Sequence, residues 1–368
     1  MSARITEIHI YGLNLPVRGG GFSTARMSVA ALDTTLVKIA LDDGTIGWGE
    51  TCPVGPTYQP HHALGARAAL REMALGLVGA SVLPLPLRRA MDGALAGHGY
   101  AKAAVEIAAL DALGKMWGAS LSDLTGGALA DRVPSYYSLG VGEPEEAARR
   151  AREKSREGFA RIQIKVGSDV AQAVEAVRRV HEAVDEGVRL AVDANRGWTA
   201  RDALLADAAL ADLPVVFEQP CSTLAEIEAI RPRLRHPLYL DESTVDVDTV
   251  HELVARRLAD GFGFKVTRLG GPTGFAAARD LCALRSLPHT CDDAWGTDVI
   301  AATCAHLGAT VEPRLLEGVW IAGDMVGTHL DPERPVVVRE GRIDVPDGPG
   351  HGIVPDETAL GAPIFSEG

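Results

Sequence analysis

Three acidic residues fall about one strand-and-helix unit apart: Asp193 in VDAN, Glu218 in FEQP and Asp241 in LDES. A lysine brackets them on each side, Lys165 in IQIKVG and Lys265 in FGFKVTRLGG. Three carboxylates that converge on one point repel each other unless a cation sits between them. An all-oxygen ligand set without His or Cys suits a hard divalent ion, for which magnesium is the usual choice. Zinc is disfavoured because no histidine belongs to the set. Two lysines on opposite sides of such an ion suit a reaction in which one base takes a proton and the other returns one. Positive charge and partial desolvation would both depress a lysine pKa toward the general-base range.

These side chains need a scaffold that brings strand ends together. From about residue 133, eight short β-type runs alternate with helical segments: SYYSLG, RIQIKV, VRLAVD, VVFE, LYLD, FGFK, PHTCDD and RLLE. Eight is the number that a closed β/α barrel requires, and the intervening helices demand right-handed parallel crossovers. Lys165, Asp193, Glu218, Asp241, Lys265, Asp292 and Glu317 each end one of these runs, at successive spacings of 23 to 28 residues by subtraction of their positions. All seven are therefore expected to ring one mouth of the barrel, where such folds keep their active sites.

The chain before this repeat is of mixed type. Strands are predicted over Ile5–Leu15, Thr34–Leu41 and, after the Asp43-Gly44 turn, Thr45–Glu50. Helices are predicted over Ala63–Val78 and Ala101–Trp117, the second ending at Gly118. The expected division is 1–130, an α+β domain; 131–325, the barrel; and 326–368, a tail. In that tail VVVREGRIDVPDGPG reads as a short hairpin and an extended segment returning to the first domain.

Bulk properties exclude some partners. The 368 residues are 46% hydrophobic, with a formal net charge of −13. A dispersed acidic surface argues against nucleic acid and against an anionic membrane. Five cysteines without a CxxC pair argue against a disulfide scaffold or structural zinc. The N-terminus reads as an amphipathic strand rather than a signal peptide, and no apolar run is long enough to span a bilayer. A soluble cytoplasmic protein, assembled as a homo-oligomer, is expected.

The acid and lysine motifs, together with DDGTIGWGE and AKAAVEIAALDALGKMWG, make nearly the whole chain resemble the enolase superfamily in its mandelate racemase and muconate-lactonising branch. The resemblance implies an α/β fold, a modified (β/α)8 TIM-type barrel covered by an α+β capping domain from the two chain ends. It implies Mg2+ held by Asp193, Glu218 and Asp241, and Lys165 and Lys265 as an acid/base pair acting through an enediolate. The chain departs from the branch pattern once. The usual Lys-x-Lys of the second strand has Gln163 in place of its first lysine, which removes one charge that would tune Lys165. The Gln163 amide is left free to bind a substrate carboxylate.

A finer resemblance lies in WGETCPVGPTY, GHGYAKAA, PSYYSLGV, EQPC, PHTCDDAWG and LEGVW, which are similar to epimerases acting at C2 of hydroxyproline betaine and proline betaine. It implies a small carboxylate substrate, an N-methylated proline derivative. A quaternary ammonium has no N–H to donate, so its recognition requires an aromatic face and a carboxylate. Trp320 is the candidate for the face and Asp292 for the charge. Tyr58 and Phe22, from loops of the capping domain, are expected to close the pocket, with Asp293 and Trp295 also at its edge. The rival outcomes are a cis-3-hydroxyproline dehydratase sharing the same metal ligands and lysines, N-acylamino-acid racemase, dipeptide epimerase or muconate cycloisomerase chemistry, and a non-catalytic betaine-binding barrel.

Overall fold

The computed structural model describes residues 3–23 and 28–368. Eight parallel strands form one curled sheet in sequential order: Tyr137–Leu139, Arg161–Lys165, Arg189–Asp193, Val215–Glu218, Leu238–Leu240, Gly261–Lys265, His289–Asp292 and Leu316–Gly318. Its first and last strands meet through a parallel bridge between Ser135 and Val319, where Val319 N–H donates to the Pro134 carbonyl at 2.8 Å. Helices separate successive strands, among them Val170–Ala183 after the second and Asp298–Ala309 after the seventh. Strands covered on both faces are read as continuous apolar runs, as the buried Phe217, Phe262 and Phe264 illustrate.

The capping sheet is antiparallel. Its strands Ile5–Pro16, Ala31–Leu41 and Ile46–Thr51 follow one another, and the terminal strand Phe365–Glu367 adds at the outer edge beside Ile5–Pro16. The helix Gly99–Trp117 lies against Ile46–Thr51 so closely that only glycine fits beneath it. A Cβ on Gly47 would stand 2.0 Å from the Ala108 carbonyl oxygen, and one on Gly49 would stand 1.9 Å from that of Ala104. The alanines of AKAAVEIAAL and the glycines of IGWGE are two halves of one contact. Because side chains alternate along a strand, Gly47 and Gly49 facing this helix turn Trp48 and Glu50 the other way.

The tail does not run straight back to the cap. Its hairpin, Val338–Arg339 and Arg342–Asp344, pairs with Arg132–Pro134 at the entrance to the barrel. The return is made further on: His351 donates through Nε2 to the Trp48 carbonyl at 2.9 Å, and Phe365–Glu367 pairs with Ile8–Ile10. Among the described residues no helix is long and apolar enough to cross a membrane.

Candidate active site

The parallel register aligns the strand ends. Lys165 pairs with Asp193, Asp193 with Glu218, and Lys265 with Asp292. Carboxylate oxygens of Asp193, Glu218 and Asp241 lie within 4.8 Å of one another, and all three residues are buried. Burial, then the adjacent Asp193 charge, pushes the Glu218 carboxyl up to about 7. Burial also opposes ionisation of Asp241, but Lys265 and Arg268 outweigh it and hold Asp241 below the usual carboxylate range. Glu242, beside the triad, is pushed up to about 8 by burial and by Asp241 and Asp193. The buried Glu242 Oε2 and Asn195 Oδ1 have no hydrogen-bond partner among the described residues. Three crowded, buried carboxylates, with spare buried acceptors beside them, fit a hard divalent cation.

Sequence reasoning names Tyr58 for the pocket but not its bond to the triad, and it misses Arg268, Asn195 and Gln219, although all three lie in the acid and lysine motifs. The Tyr58 hydroxyl, at the end of the short capping-domain helix Gly55–Tyr58, donates to Asp241 Oδ2 at 3.0 Å. Arg268, in KVTRLGG, donates to Asp241 Oδ1 at 2.6 Å. Asn195, in VDAN, donates through Nδ2 to Asp193 at 3.0 Å and to Glu242 at 3.3 Å. Gln219, in FEQP, accepts the Asp241 and Ser243 N–H groups at 3.1 Å each and donates to the Ser243 hydroxyl at 2.8 Å. Its amide thus clamps the loop of one candidate ligand to the strand of another. Asn195 and Gln219 both have positive φ, 44° and 35°. Non-glycine residues in that region are strained, and such strain clusters at functional sites. The sequence signal was the polar residue that follows each acid in these motifs.

The lysines flank the triad as expected. Lys165 Nζ contacts Asp193 Oδ2, and Lys265 Nζ lies 3.5 Å from Asp241 and 3.3 Å from Asp292. Their expected pKa depression is not what the protein groups produce by themselves. Burial pulls each ammonium down, but Asp193 and Glu218 around Lys165, and Asp241 and Asp292 around Lys265, outweigh it and raise both. The surrounding anionic charge must be neutralised before either amine can serve as a base.

A cavity opens beside the triad, lined by Tyr58, Gln163, Lys165, Asp241 and Lys265. Its lining is also aromatic. Trp320 and Trp295 meet edge to face at 5.4 Å between ring centroids, and Phe22 meets Trp295 at 5.7 Å. Tyr136 and Ser138, from SYYSLG, also line it and were not anticipated. Asp293 reaches the cavity, but its oxygens accept from the Thr267 N–H and hydroxyl at 2.8 Å each and from Ala294 N–H at 2.7 Å.

Three expectations change. Asp292 is not in the cavity lining; it is fully buried and accepts from the Tyr136 hydroxyl, Thr290, Lys265 and the Trp320 N–H. With its acceptors filled, it braces the aromatic wall instead of facing a ligand. Gln163 lines the cavity, but its amide donates to Glu218 at 2.8 Å and accepts from Ser138 at 2.9 Å. That commits the amide to a carboxylate of the triad rather than leaving it free for one on a substrate. Glu317 lies outside the mouth altogether. It pairs with Arg161 at 3.4 Å and Arg189 at 2.9 Å, the first residues of the second and third barrel strands. The register shift between the last two strands sets Thr290 opposite Gly318, so Trp320, and not Glu317, stands level with Asp292.

Comparison with known proteins places this geometry. Residues 6–126 match the family model described as mandelate racemase/muconate lactonizing enzyme, N-terminal domain, and residues 146–359 match the enolase C-terminal domain-like model. The chain belongs to the mandelate racemase/muconate lactonizing enzyme family. It is therefore an enzyme of the enolase superfamily. It is 36% identical, over 98% of its length and 99% of the relative, to cis-3-hydroxy-L-proline dehydratase of Roseibium aggregatum. It is 30% identical to L-Ala-D/L-Glu epimerase of Bacillus subtilis, covering 69% of the chain and 71% of the relative. A magnesium-complexed enolase-superfamily member from Roseovarius nubinhibens superposes with a TM-score of 0.94 at 30% identity, over the full length of both chains. The family's chemistry on small amino-acid derivatives, by racemases, epimerases and dehydratases, is the frame for this site.

Proposed function

We propose that the protein is a magnesium-dependent epimerase that inverts C2 of proline betaine or hydroxyproline betaine. The observation that carries this reading is the aromatic cluster of Trp320, Trp295 and Phe22 lining the same cavity as the two lysines. A quaternary ammonium against such a cluster gains roughly 0.5–2 kcal/mol, more as water is excluded. The Asp293 oxygens are already bonded within the protein, which suits a nitrogen with no hydrogen to donate.

Asp193, Glu218 and Asp241 would hold the ion, which supplies Lewis-acid stabilisation of negative charge on the substrate carboxylate. Lys165 and Lys265 stand at opposite ends of the acid series in the sheet order and present amines to the same cavity. The neutral amine of one lysine takes the C2 proton and becomes an ammonium, leaving an enediolate. The ammonium of the other gives its proton to the opposite face of C2, so configuration inverts and no atom is lost. Tyr58 and Arg268 orient Asp241, and Gln163 orients Glu218.

The second reading is dehydration of a cis-3-hydroxyproline, supported by the 36% identical full-length relative. It uses the same lysines, with loss of the C3 hydroxyl as water from the same intermediate. Incubation of both substrate types with Mg2+ in deuterium oxide separates the two. Deuterium at C2 of proline betaine with loss of optical rotation is the expected result. Release of water from cis-3-hydroxyproline without exchange into any betaine would replace the epimerase by the dehydratase.

A further inference from the structure

Glu50 closes the DDGTIGWGE motif, yet it lines no part of the catalytic cavity. It is fully buried at the seam between the capping sheet and the barrel. Its carboxylate accepts from the Thr34 hydroxyl of the neighbouring cap strand at 2.6 Å. Its remaining partners come from the barrel: Thr297 N–H at 2.9 Å, the Thr297 hydroxyl at 2.8 Å and Ile300 N–H at 3.1 Å. These groups form the N-cap and first turn of the helix Asp298–Ala309, whose own N-cap residue Thr297 makes no side-chain cap bond. A carboxylate from the other domain therefore does the work that an N-cap side chain would do, and meets the positive end of a twelve-residue helix.

The segment that this contact anchors runs from Asp293 to Thr297 and carries Trp295, the centre of the aromatic wall, touching both Phe22 and Trp320. Gly296, immediately before Thr297, has φ 154°, and a Cβ there would stand 2.5 Å from Ile300, so the segment is tightly seated on that same helical turn. We infer that Glu50 is a positioning residue for substrate recognition: by capping the Asp298–Ala309 helix from the capping domain it sets the place of Trp295, and with it the pocket's fit to the substrate nitrogen. This rests on the reading of the cavity as a binding site for an N-substituted amino acid. It assigns Glu50 to binding and not to proton transfer, because Glu50 lines no part of the cavity that Lys165 and Lys265 line.

The test compares kcat and KM for C2 proton exchange in Glu50→Leu, Glu50→Gln and the wild type, with proline betaine as probe. Glu50→Leu is expected to raise KM at least tenfold and to change kcat less than threefold. Glu50→Gln retains an acceptor for the Thr297 and Ile300 N–H groups and is expected to bring KM back to within threefold. A fall in kcat at unchanged KM, or a Gln variant as impaired as Leu, overturns the inference. If Glu50→Leu does not fold, Thr297→Val carries the test, since it deletes one of the bonded hydroxyls; an unchanged KM there overturns it equally. Wild-type protein that exchanges nothing from proline betaine refutes the substrate reading alone, and the same KM comparison then runs on whichever amino-acid derivative the wild type turns over.

Discussion

Each lysine of this site is held by acids, and that dictates how the two variants must differ. Lys165→Ala and Lys265→Ala should each abolish epimerisation. Each should also keep C2 exchange from only one enantiomer, because the remaining amine still reaches its own face. Full epimerisation by either variant, followed by polarimetry in deuterium oxide, would refute the two-base scheme. Gln219 makes a second argument at this scale. It lines no part of the cavity, yet its amide oxygen accepts the Asp241 and Ser243 N–H groups and so fixes the loop that carries Asp241. Groups that orient metal ligands typically matter 10- to 100-fold for metal affinity. Gln219→Ala is expected to weaken Mg2+ binding by about that factor, measured by calorimetry, with the fold unchanged by circular dichroism.

Between strand and helix the decisive contact is the one beneath Gly99–Trp117. Overpacking a tight contact costs roughly 1–3 kcal/mol, and here the added carbon would meet backbone, which cannot swing aside. Gly49→Ala should therefore destabilise the protein by at least about 2 kcal/mol on that scale, seen as a lower denaturation midpoint in urea. The neighbouring Glu50 adds a pH dependence. Burial raises its carboxyl from about 4.5 to about 7, opposed by bonds from Thr34, Thr297 and Ile300. The folded protein therefore binds the extra proton between those values. The resulting stability is fully present below about pH 4.5 and is lost as pH rises through 7. The amount is on the order of 3 kcal/mol. Glu50→Gln should flatten the loss of stability between pH 5 and pH 8 by that amount, whereas an identical pH profile in wild type and variant would contradict it.

Across the whole molecule, the two chain ends are tied to the barrel through shared seams. Asp111 in the long cap helix accepts from Trp48 N–H at 2.9 Å and His351 N–H at 3.1 Å, joining cap strand, helix and tail at one carboxylate. A ligand that binds only the folded state stabilises the whole by mass action, about 2.7 kcal/mol at a hundredfold excess over Kd. Mg2+ should accordingly raise the Tm, chelation should reverse the rise, and Asp193→Asn should remove it. A wild-type Tm indifferent to Mg2+ at millimolar concentration would remove the metal from the site.

Much of this was readable in the linear chain. Local patterning placed the elements it named to within a few residues, since a strand buried on both faces and an alanine-rich helix each declare themselves by composition, but it passed over the cap helix Pro84–Ala94. The order of acids and lysines along the repeat placed five of the mouth residues, because in a sequential parallel barrel a strand end's position follows from its number. Only the folded chain decided what depends on register and on contacts distant in sequence. A shift between the last two strands sent Glu317 to the barrel base and raised Trp320 to the rim. Three-dimensional neighbours filled the acceptors of Asp292 and committed Gln163 to Glu218. The charge state of the lysines, too, belongs to the assembled site, because it is the balance of burial against carboxylates drawn from several strands. Residue type could announce an acid or an amine, but the environment that sets its task is built from segments far apart in the chain, as Glu50 and Ile300 are at a separation of 250 positions.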